Sequence, residues 1–378
     1  MDGKRGSLEK MVEMANVLDI FNNFYIGKRV LITGHTGFKG SWLAIWLHEL
    51  GAEVIGVGLD PQTEKDNYVL SGIGSKIKAD LRADIRDSET MKCIFNKYQP
   101  EIVFHLAAQP LVRLSYDEPV ETWQTNVMGT INVMEAFRHC ESAKVAVMIT
   151  TDKCYENRET NHAYTEDEPM GGYDPYSSSK GACEIAISSW RRSFMNPAAF
   201  EKHGKSIASV RAGNVIGGGD WAKDRIIPDC IRAIEANEQI KIRNRHAVRP
   251  WQHVLEPLSG YLLLAQKIWE NPTEYCEGWN FGPKMDAVVP VWDVATMLTK
   301  EMGRGELLDQ TDPNAPHEAN LLMLDITKAQ TRLGWQPRLS TAEAIALTAN
   351  WYKRYQRENV YNLCVEEIQR FAQLKIGD

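Results

Sequence analysis

Two side chains near the middle of the sequence have the spacing of a proton-transfer pair. The segment YSSSK places Tyr176 and Lys180 four residues apart, which puts them on one face of a helix. Tyrosine alone is a poor base at neutral pH, because its unperturbed pKa is about 10. A nearby ammonium favours the phenolate, so we expect Lys180 to lower the pKa of Tyr176. Such a pair removes a proton from an alcohol while the alcohol carbon gives up a hydride, although the same spacing also occurs in solvent-exposed pairs.

A glycine-rich segment provides a place for the hydride acceptor. In TGHTGFKG, Gly34, Gly37 and Gly40 follow the predicted strand RVLITG and begin a predicted helix that ends at Gly51. Free N–H groups and the helix dipole make a helix N-terminus an anion site, and glycines let the backbone approach a pyrophosphate. The spacing is GxxGxxG rather than GxGxxG, but its position between a strand and a helix predicts dinucleotide binding.

The residues after the second and third predicted strands favour NAD over NADP. Asp60 ends the segment EVIGVGLD, where a carboxylate accepts hydrogen bonds from ribose hydroxyls and repels a 2′-phosphate. A turn residue before Pro61 is the alternative interpretation of Asp60. We also expect Asp84 and Ile85, after the third strand, to flank the adenine ring.

Composition excludes several other classes of protein. The chain has 378 residues and a net charge of −7 without a long basic run, which argues against nucleic acid as a partner. Seven scattered cysteines without a CxxC pair are typical of reduced thiols. The histidines show no HxH or HxxxH spacing, so we predict no metal site. We find no apolar stretch of membrane-spanning length and no signal peptide, and we therefore expect a cytoplasmic protein.

Strand and helix patterns alternate through the first half of the chain, which predicts an α/β fold with a doubly wound parallel sheet. Six strands are expected, ending with KSIASVRAGNVIGGG. We predict an N-terminal extension over residues 1–26, with a short amphipathic helix in LEKMVEMANVLDIFNNFY. A Rossmann-like NAD-binding domain is expected over 27–215, and a smaller mixed α/β lobe that binds substrate mainly over 216–378. We also expect later parts of the chain to cross back to the first domain.

Several motifs together resemble the extended short-chain dehydrogenase/reductase family, the NAD-dependent epimerases and dehydratases. They are TGHTGFKG, HLAAQ, YSSSK, VRAGNVIGGG, RPWQHV and LGWQPRLSTAEAI. Within that family the segments TTDKCYEN, GGYDPYSSSKG and VRAGNVIGGGDWAKDRIIPD look very like those of the CDP-D-glucose 4,6-dehydratases. The resemblance covers residues 27–352 and implies dehydration of CDP-D-glucose to CDP-4-dehydro-6-deoxy-D-glucose, as in bacterial deoxysugar and O-antigen precursor synthesis.

The resemblance also implies how water is lost. A 4-epimerase only oxidises and reduces C4, whereas a 4,6-dehydratase also needs a base for the C5 proton and an acid for the C6 hydroxyl. Thr151, Asp152 and Lys153 match the family's acid/base positions. We assign Asp152 as the acid, Lys153 as the base and Thr151 as a hydrogen-bond donor to the sugar 4-oxygen. The opposite assignment of Asp152 and Lys153 stays open.

The remaining expected contacts also follow from the resemblance. Arg249, Arg225 and Asn214 match positions on the pyrophosphate side of the substrate, and Gln109 and Arg113 follow the fourth strand. His253 is interpreted as a packed structural histidine. The expected NAD-binding residues are Gly34, Thr36, Gly37, Phe38, Lys39, Gly40, Asp60, Asp84, Ile85, Leu106, Ala107, Ala108, Thr150, Tyr176 and Lys180.

Three functions are compatible with these patterns. The first is the CDP-D-glucose 4,6-dehydratase; the second is a 4-epimerase or a dehydratase for a dTDP-, UDP- or GDP-sugar. The third is a catalytically silent NAD-binding regulator, which the intact Tyr176, Lys180 and Asp152 disfavour. Related enzymes pair through two helices per subunit, so we expect a homodimer or homotetramer. The sequence does not indicate which residues recognise cytosine.

Overall fold

A computed structural model describes residues 20–284, 288–311 and 322–374 of the chain. Its strands, in chain order, are β1 (Arg29–Thr33), β2 (Glu53–Gly58), β3 (Ala79–Arg82), β4 (Ile102–His105), β5 (Val145–Ile149), β6 (Ala163–Tyr164), β7 (Ser206–Arg211), β8 (Val215–Ile216), β9 (Ile240–Ile242), β10 (Val248–Pro250), β11 (Gln252–His253), β12 (Gly278–Asn280), β13 (Val288–Pro290), β14 (Leu307–Asp309) and β15 (Met323–Leu324).

The helices surround these strands. They are α1 (Phe38–Glu49), α2 (Asn67–Ser71), α3 (Ser88–Tyr98), α4 (Val112–Asp117), α5 (Pro119–Trp123), α6 (Gly129–His139), α7 (Pro175–Ser193), α8 (Phe200–His203), α9 (Ile226–Ala236), α10 (Leu255–Glu270), α11 (Val291–Met302), α12 (Thr341–Arg354) and α13 (Val360–Gln373). No helix in the described part of the chain is both long enough and apolar enough to cross a bilayer.

Seven parallel strands form the central sheet in the order β12-β7-β5-β4-β1-β2-β3. The first strand therefore lies beside both the second and the fourth, and the strand order reverses between β1 and β4. Such a reversal opens a crevice at the carboxyl ends of the strands, where ligands of doubly wound sheets bind. The structure confirms the predicted α/β fold class.

Alternation along β1 shows why both faces of the sheet are covered. Val30 and Ile32 belong to one buried cluster with the tryptophans of α1, whereas Leu31 belongs to a second cluster with residues of α6 and α7. Successive side chains of a strand point to opposite faces, so a continuous apolar run requires a helical layer on each side. These layers fix α1 and α7, the two helices whose N-termini carry the candidate site.

Three details differ from the sequence predictions. The segment EGWNF, expected in the smaller lobe, supplies β12 as the seventh strand of the main sheet, beside β7. The predicted helix over residues 120–140 contains one π-helical turn, Gln124–Met128, between α5 and α6. The predicted N-terminal helix lies mostly outside the described residues, and residues 20–26 at its end form turns. Gly51 has a φ of 78° just after α1, as expected of a glycine that ends a helix.

Candidate active site

A cavity of about 920 Å3 opens at the carboxyl ends of the central strands. Every site residue predicted from the sequence contributes to its wall except Lys180. The predicted residues on the wall are Gly34, Thr36, Gly37, Phe38, Lys39, Gly40, Asp60, Asp84, Ile85, Leu106, Ala107, Ala108, Gln109, Thr150, Thr151, Asp152, Lys153, Tyr176, Asn214, Arg225 and Arg249. The topology thus brings together residues from positions 34 to 249.

The glycine loop forms one end of the cavity. Gly34 has a φ of 76°, and a Cβ there would lie 2.8 Å from the backbone nitrogen of Ala107. A Cβ on Gly40 would lie only 2.0 Å from the carbonyl oxygen of Gly34, so α1 can pack on the turn only with glycine there. Gly37 is exposed, and it precedes α1 without a side-chain cap. The N-terminus of α1 therefore faces the cavity as an anion site.

A carboxylate lies at the far end of the same wall. Asp60 follows β2 with 86% of its side chain exposed, and one oxygen accepts a hydrogen bond from Arg82 at 3.0 Å. The guanidinium of Arg82 also donates to Asp80 and to Tyr68. Two carboxylates surround this single cation, so the corner keeps a negative charge. That charge is what favours a free ribose hydroxyl over a 2′-phosphate.

The side walls near this corner are set by two further predicted residues. The carboxylate of Asp84 accepts a hydrogen bond from the backbone nitrogen of Arg86 and pairs with its guanidinium at 2.6 Å. Ion pairing with Arg86 holds the pKa of Asp84 below its usual range. Ile85 is buried and packs against Gly129, where a Cβ would come within 2.4 Å of it.

Local sequence fixes the start of α7 and with it Tyr176. The Asp174 side chain accepts hydrogen bonds from the backbone nitrogen and hydroxyl of Ser177 at 2.9 and 2.6 Å, and Pro175 occupies the first turn. Both features are typical of a helix N-terminus. The backbone nitrogen of Tyr176 donates to Ser115 on α4, which ties the helix to the opposite side of the cavity.

The electrostatics of the pair depend mainly on burial. Burial raises the pKa of Tyr176, and the groups that act against this rise are a hydrogen bond with Thr151 and the charge of Arg225. Lys180 is buried behind the cavity wall, and its Nζ lies 3.4 Å from the carbonyl oxygen of Ile149. Burial also lowers the pKa of Lys180. Burial is thus the largest influence on the pKa of Tyr176, and the expected effect of Lys180 on that pKa stays a prediction.

The segment after β5 carries the predicted acid/base residues. Asp152 is 1% exposed, and one of its oxygens accepts a hydrogen bond from the Thr151 hydroxyl at 2.9 Å. The other oxygen is buried without a hydrogen-bond partner. It lies against Gly213, where a Cβ would come within 1.8 Å. A buried carboxylate oxygen without a partner costs free energy unless it is protonated or meets a ligand, so Asp152 is suited to proton transfer. Lys153 is half-buried beside it.

Lys39 brings a cation from the glycine loop to the same place. Burial, Lys180 and Arg225 together lower its pKa to about 8, while Asp152 acts in the opposite direction. Its amine is therefore within electrostatic reach of the catalytic groups. Only the fold reveals this, because Lys39 lies far from Asp152 in the chain.

Two arginines that the sequence analysis singled out also line the cavity. Arg225 donates to Asp220 at 2.9 Å, and Arg249 is buried with one nitrogen 3.0 Å from the carbonyl oxygen of Val248. Asn214 adopts a positive φ of 46° at the cavity wall. These three predicted residues converge on one region of the cavity.

Gln109 is bonded within its own turn, whereas Arg113 pairs with a residue distant in the chain. The side-chain amide of Gln109 donates to Thr122 and to the carbonyl oxygen of Leu111, and its oxygen accepts from the backbone nitrogen of Leu111. Arg113 lies 3.8 Å from Asp224 across the mouth of the cavity. Gln109 therefore shapes the wall with its own turn while its polar atoms are already bonded.

Sequence reasoning missed three buried residues that hold the site together. Asn126, in the π-helical turn, accepts a hydrogen bond from the backbone nitrogen of Gln109 and donates to Ser179 on α7. Glu184 and Arg211 form an ion pair at 2.8 Å behind the site. The position of Glu184 one turn after Lys180 was a usable signal, whereas nothing local marked Asn126 or Arg211.

The structure places His253 in the packed interior. His253 is fully buried, lies off the cavity wall, and has a pKa lowered to about 3 by burial. It is therefore a packed, neutral side chain. Within residues 20–284, 288–311 and 322–374, no cluster of three or more His, Cys, Asp or Glu side chains is arranged to hold a metal ion.

Comparisons with known proteins fit this geometry. A curated CDP-glucose 4,6-dehydratase of Salmonella typhimurium strain LT2 is 49% identical over 345 residues, covering 91% of this chain and 96% of the relative. A solved dTDP-glucose 4,6-dehydratase of Bacillus anthracis in complex with NAD superposes with a TM-score of 0.72 at 18% identity, covering 89% of this chain and all (100%) of that one. An epimerase of Methanothermobacter thermautotrophicus has a TM-score of 0.75 at 21% identity, covering 94% and 97%.

The family assignment rests on a longer stretch of the chain than any single motif. The family model described as GDP-mannose 4,6 dehydratase matches residues 31–348, from the middle of β1 into α12. That stretch includes the glycine loop, the Thr151–Lys153 segment, the start of α7 and both arginines of the substrate half. The chain therefore belongs to the GDP-mannose 4,6-dehydratase family, within the extended short-chain dehydrogenases/reductases.

Proposed function

We propose that the protein is an NAD-dependent hydro-lyase that converts CDP-D-glucose into CDP-4-dehydro-6-deoxy-D-glucose. One observation carries the dehydratase assignment: Asp152 is a buried carboxylate in the wall of the cavity that Tyr176 also lines, and one of its oxygens has no hydrogen-bond partner. A 4-epimerase has no use for such an acid. The 49% identity to a CDP-glucose 4,6-dehydratase supports the nucleotide.

The residues present fit NAD. A Cβ at Gly34 or Gly40 would collide with neighbouring backbone, which leaves a tight turn and an open helix N-terminus for a pyrophosphate. Asp60 retains a negative corner suited to a ribose with free hydroxyls, and Asp84 and Ile85 frame the adenine side. When bound, NAD supplies a hydride acceptor for C4 oxidation and a hydride donor for reduction at C6.

In our mechanism Tyr176 accepts the proton of the sugar 4-hydroxyl, and Thr151 donates a hydrogen bond to the 4-oxygen. Because burial raises the pKa of Tyr176, the phenolate must be stabilised by cations that the chain places at the cavity. Arg225 acts directly on Tyr176, and Lys39 and Lys180 lie within reach of the same site. Arg225, Lys39 and Lys180 together thus take the role of stabilising the phenolate, which the sequence analysis gave to Lys180 alone.

Loss of water requires a second set of groups. The C4 ketone acidifies the C5 proton, which Lys153 accepts, while Asp152 protonates the leaving C6 hydroxyl. Return of a proton to C5 by Lys153 completes the product.

Substrate recognition is assigned to the half of the cavity beyond the glycine loop. We propose that Arg249, Arg225 and Asn214 bind the diphosphate, because guanidinium groups match phosphate oxygens. Gln109 shapes the sugar pocket from the opposite wall. In this division residues 27–215 mainly bind NAD and residues 216–378 mainly bind the nucleotide sugar, with β12 and α10 crossing back to the sheet. We propose residues 1–26 as an N-terminal extension; within its described residues, 20–26, Phe21 and Tyr25 are buried in the main core.

The wider setting is also a proposal. We infer that the protein is cytoplasmic, with CDP-D-glucose as its partner rather than nucleic acid or membrane, and that its product feeds deoxysugar synthesis for lipopolysaccharide O-antigen. We further infer a homo-oligomer formed through α5, α6 and α7. Three apolar side chains support this: Val120, Met128 and Ile185 are 69%, 50% and 61% exposed on neighbouring segments.

Incubation of the purified protein and NAD with CDP-, dTDP-, UDP- and GDP-glucose tests the proposal. We expect a product with the mass of one water less and a 4-keto group, formed fastest from CDP-glucose. A product of unchanged mass with inverted C4 would indicate an epimerase. Faster turnover of another nucleotide sugar would assign that sugar as the substrate. NAD binding without turnover of any sugar would indicate a regulator.

A further inference from the structure

A buried ion pair behind the cavity is the starting point. Glu184 and Arg211 lie 2.8 Å apart with side-chain exposures of only 3% and 6%. Glu184 is on α7, one helical turn beyond Lys180 and two beyond Tyr176, whereas Arg211 ends β7. A buried ion pair contributes little net stability compared with packed apolar residues, so its presence calls for another explanation.

The carboxylate of Glu184 is bound on both oxygens. One oxygen accepts a hydrogen bond from the hydroxyl of Thr150, at the end of β5. The other accepts from the hydroxyl of Ser209 at 2.7 Å and from Arg211 at 2.8 Å. Glu184 thus ties the helix that carries Tyr176 to the ends of two strands.

Arg211 reaches the other side of the same segment. Its second terminal nitrogen donates to the hydroxyl of Tyr155 at 2.6 Å and to the carbonyl oxygen of Glu166 at 3.0 Å. The Tyr155 hydroxyl in turn donates to Asn280 on β12 at 2.8 Å. Thr150 and Tyr155 are therefore held by the two members of one ion pair, and the segment from Thr151 to Lys153 lies between these two points.

We propose that Glu184 and Arg211 are positioning residues of the dehydratase, which bracket the Thr151–Lys153 segment. The inference rests on the proposed function, since it concerns how the acid, the base and Tyr176 are held in one geometry. Displacement of a catalytic group by about 1 Å can cost on the order of 100-fold in rate. A bracket at both ends of a three-residue segment limits such displacement.

The bracket around the Thr151–Lys153 segment is tested with Tyr155→Phe, which removes one hydroxyl and leaves the ion pair in place. Tyr25→Phe is the control, because Tyr25 is also buried and its hydroxyl donates to Leu262 away from the cavity, although it loses one hydrogen bond where Tyr155 loses two. We expect Tyr155→Phe to lower kcat at least about 10-fold with KM within about threefold, since the reacting groups rather than binding are displaced. Equal kcat values for both variants would overturn the bracket.

The ion pair is tested with Glu184→Gln, which keeps the shape and an acceptor for Thr150 but leaves Arg211 without its carboxylate. We expect kcat to fall with KM within about threefold, because the reacting groups rather than binding are displaced. Glu184→Asp retains the charge with a shorter reach and should lower kcat as well. Wild-type kcat for Glu184→Gln would overturn the role of the ion pair.

If Glu184→Gln does not fold, the double variant Glu184→Gln/Arg211→Met removes the unpaired guanidinium, and kcat and KM are compared with wild type on that variant instead. Wild-type turnover of CDP-glucose is measured first. Absence of that turnover refutes the proposed function, whereas wild-type behaviour of Tyr155→Phe and of the Glu184 variants in an active enzyme refutes only this inference.

Discussion

The carboxylate of Asp152 lies directly against Gly213, which follows β7. A Cβ on this glycine would be 1.8 Å from one carboxylate oxygen and 2.2 Å from the carboxylate carbon. The absence of a side chain at position 213 is therefore what allows the predicted acid to reach the cavity wall. Asp152 and Gly213 are distant in the chain, and their contact fixes where the proposed proton donor lies.

Gly213→Ala should displace Asp152 and lower the dehydration rate about 100-fold, because a misplaced catalytic group loses its alignment. Gly282→Ala is the control, since a Cβ there meets only ordinary contacts at 3.5 and 3.6 Å. Initial rates with CDP-glucose and thermal unfolding measure the two effects. A fully active Gly213→Ala enzyme would show that Asp152 need not occupy this position.

Asp152→Asn should uncouple the two halves of the reaction. C4 oxidation should continue slowly, whereas loss of water should fall by a factor of about 100 to 10,000, the usual contribution of a general acid. Absorbance of the reduced nicotinamide follows the first step, and mass spectrometry follows water loss. Dehydration at the wild-type rate would mean that Asp152 is not the acid. Asp293→Asn, on the exposed face of α11, is the control for an Asp-to-Asn substitution outside the cavity.

Gly40→Ala should weaken NAD binding by at least about tenfold, because contact with the Gly34 carbonyl oxygen must push α1 away from the turn. The thermal stabilisation that NAD gives to the wild type should shrink accordingly. Calorimetric titration with NAD is the direct measurement, and Gly282→Ala again serves as the control. Wild-type affinity in a folded Gly40→Ala protein would contradict the glycine-loop site.

Lys39→Met should stabilise the fold at neutral pH and not at high pH. Since the pKa of Lys39 is lowered to about 8 from 10.5, the unfolded chain binds its proton more tightly, and folding opposes the charged amine below pH 8. We expect a gain of about 2 kcal/mol in the free energy of unfolding at pH 7, which disappears as the pH rises from 8 to above 10.5.

Urea unfolding of Lys39→Met and wild type at pH 7 and pH 10.5 makes this comparison, because differences between the two proteins cancel the titration of other groups. Lys202→Met on α8 is the control, since Lys202 is exposed. The same stability difference at both pH values would show that the amine of Lys39 is not held in the charged cluster.

Ile185→Glu and Val120→Glu should dissociate the proposed oligomer. Burial of an unpaired carboxylate in an apolar interface typically costs enough to raise the dissociation constant at least about 30-fold. Ile26→Glu is the control, because Ile26 is 54% exposed on a different part of the molecule. Sedimentation velocity over a range of concentrations distinguishes the species, and an unchanged distribution would place the interface elsewhere.

Much of the site was predictable because its signals are local. The spacing of Tyr176 and Lys180 follows from helix geometry, and the glycines at 34, 37 and 40 follow from the sterics of a strand–turn–helix junction. Asp60 and Asp152 each follow a predicted strand, and parallel strands bring their carboxyl ends to one edge. These features depend on neighbours within a few residues, so a single sequence contains them.

The chain by itself thus determined the order of strands and helices, the glycine loop and the helix face that carries Tyr176. Only the tertiary structure decided the electrostatic state of those groups. It buried Tyr176 so that its pKa rises, moved Lys180 behind the wall, brought Lys39 and Arg225 towards Asp152, and joined Glu184 to Arg211 across two strands. The physical reason is that desolvation and charge pairing depend on which distant residues meet in space, and periodicity along the chain carries no information about such meetings.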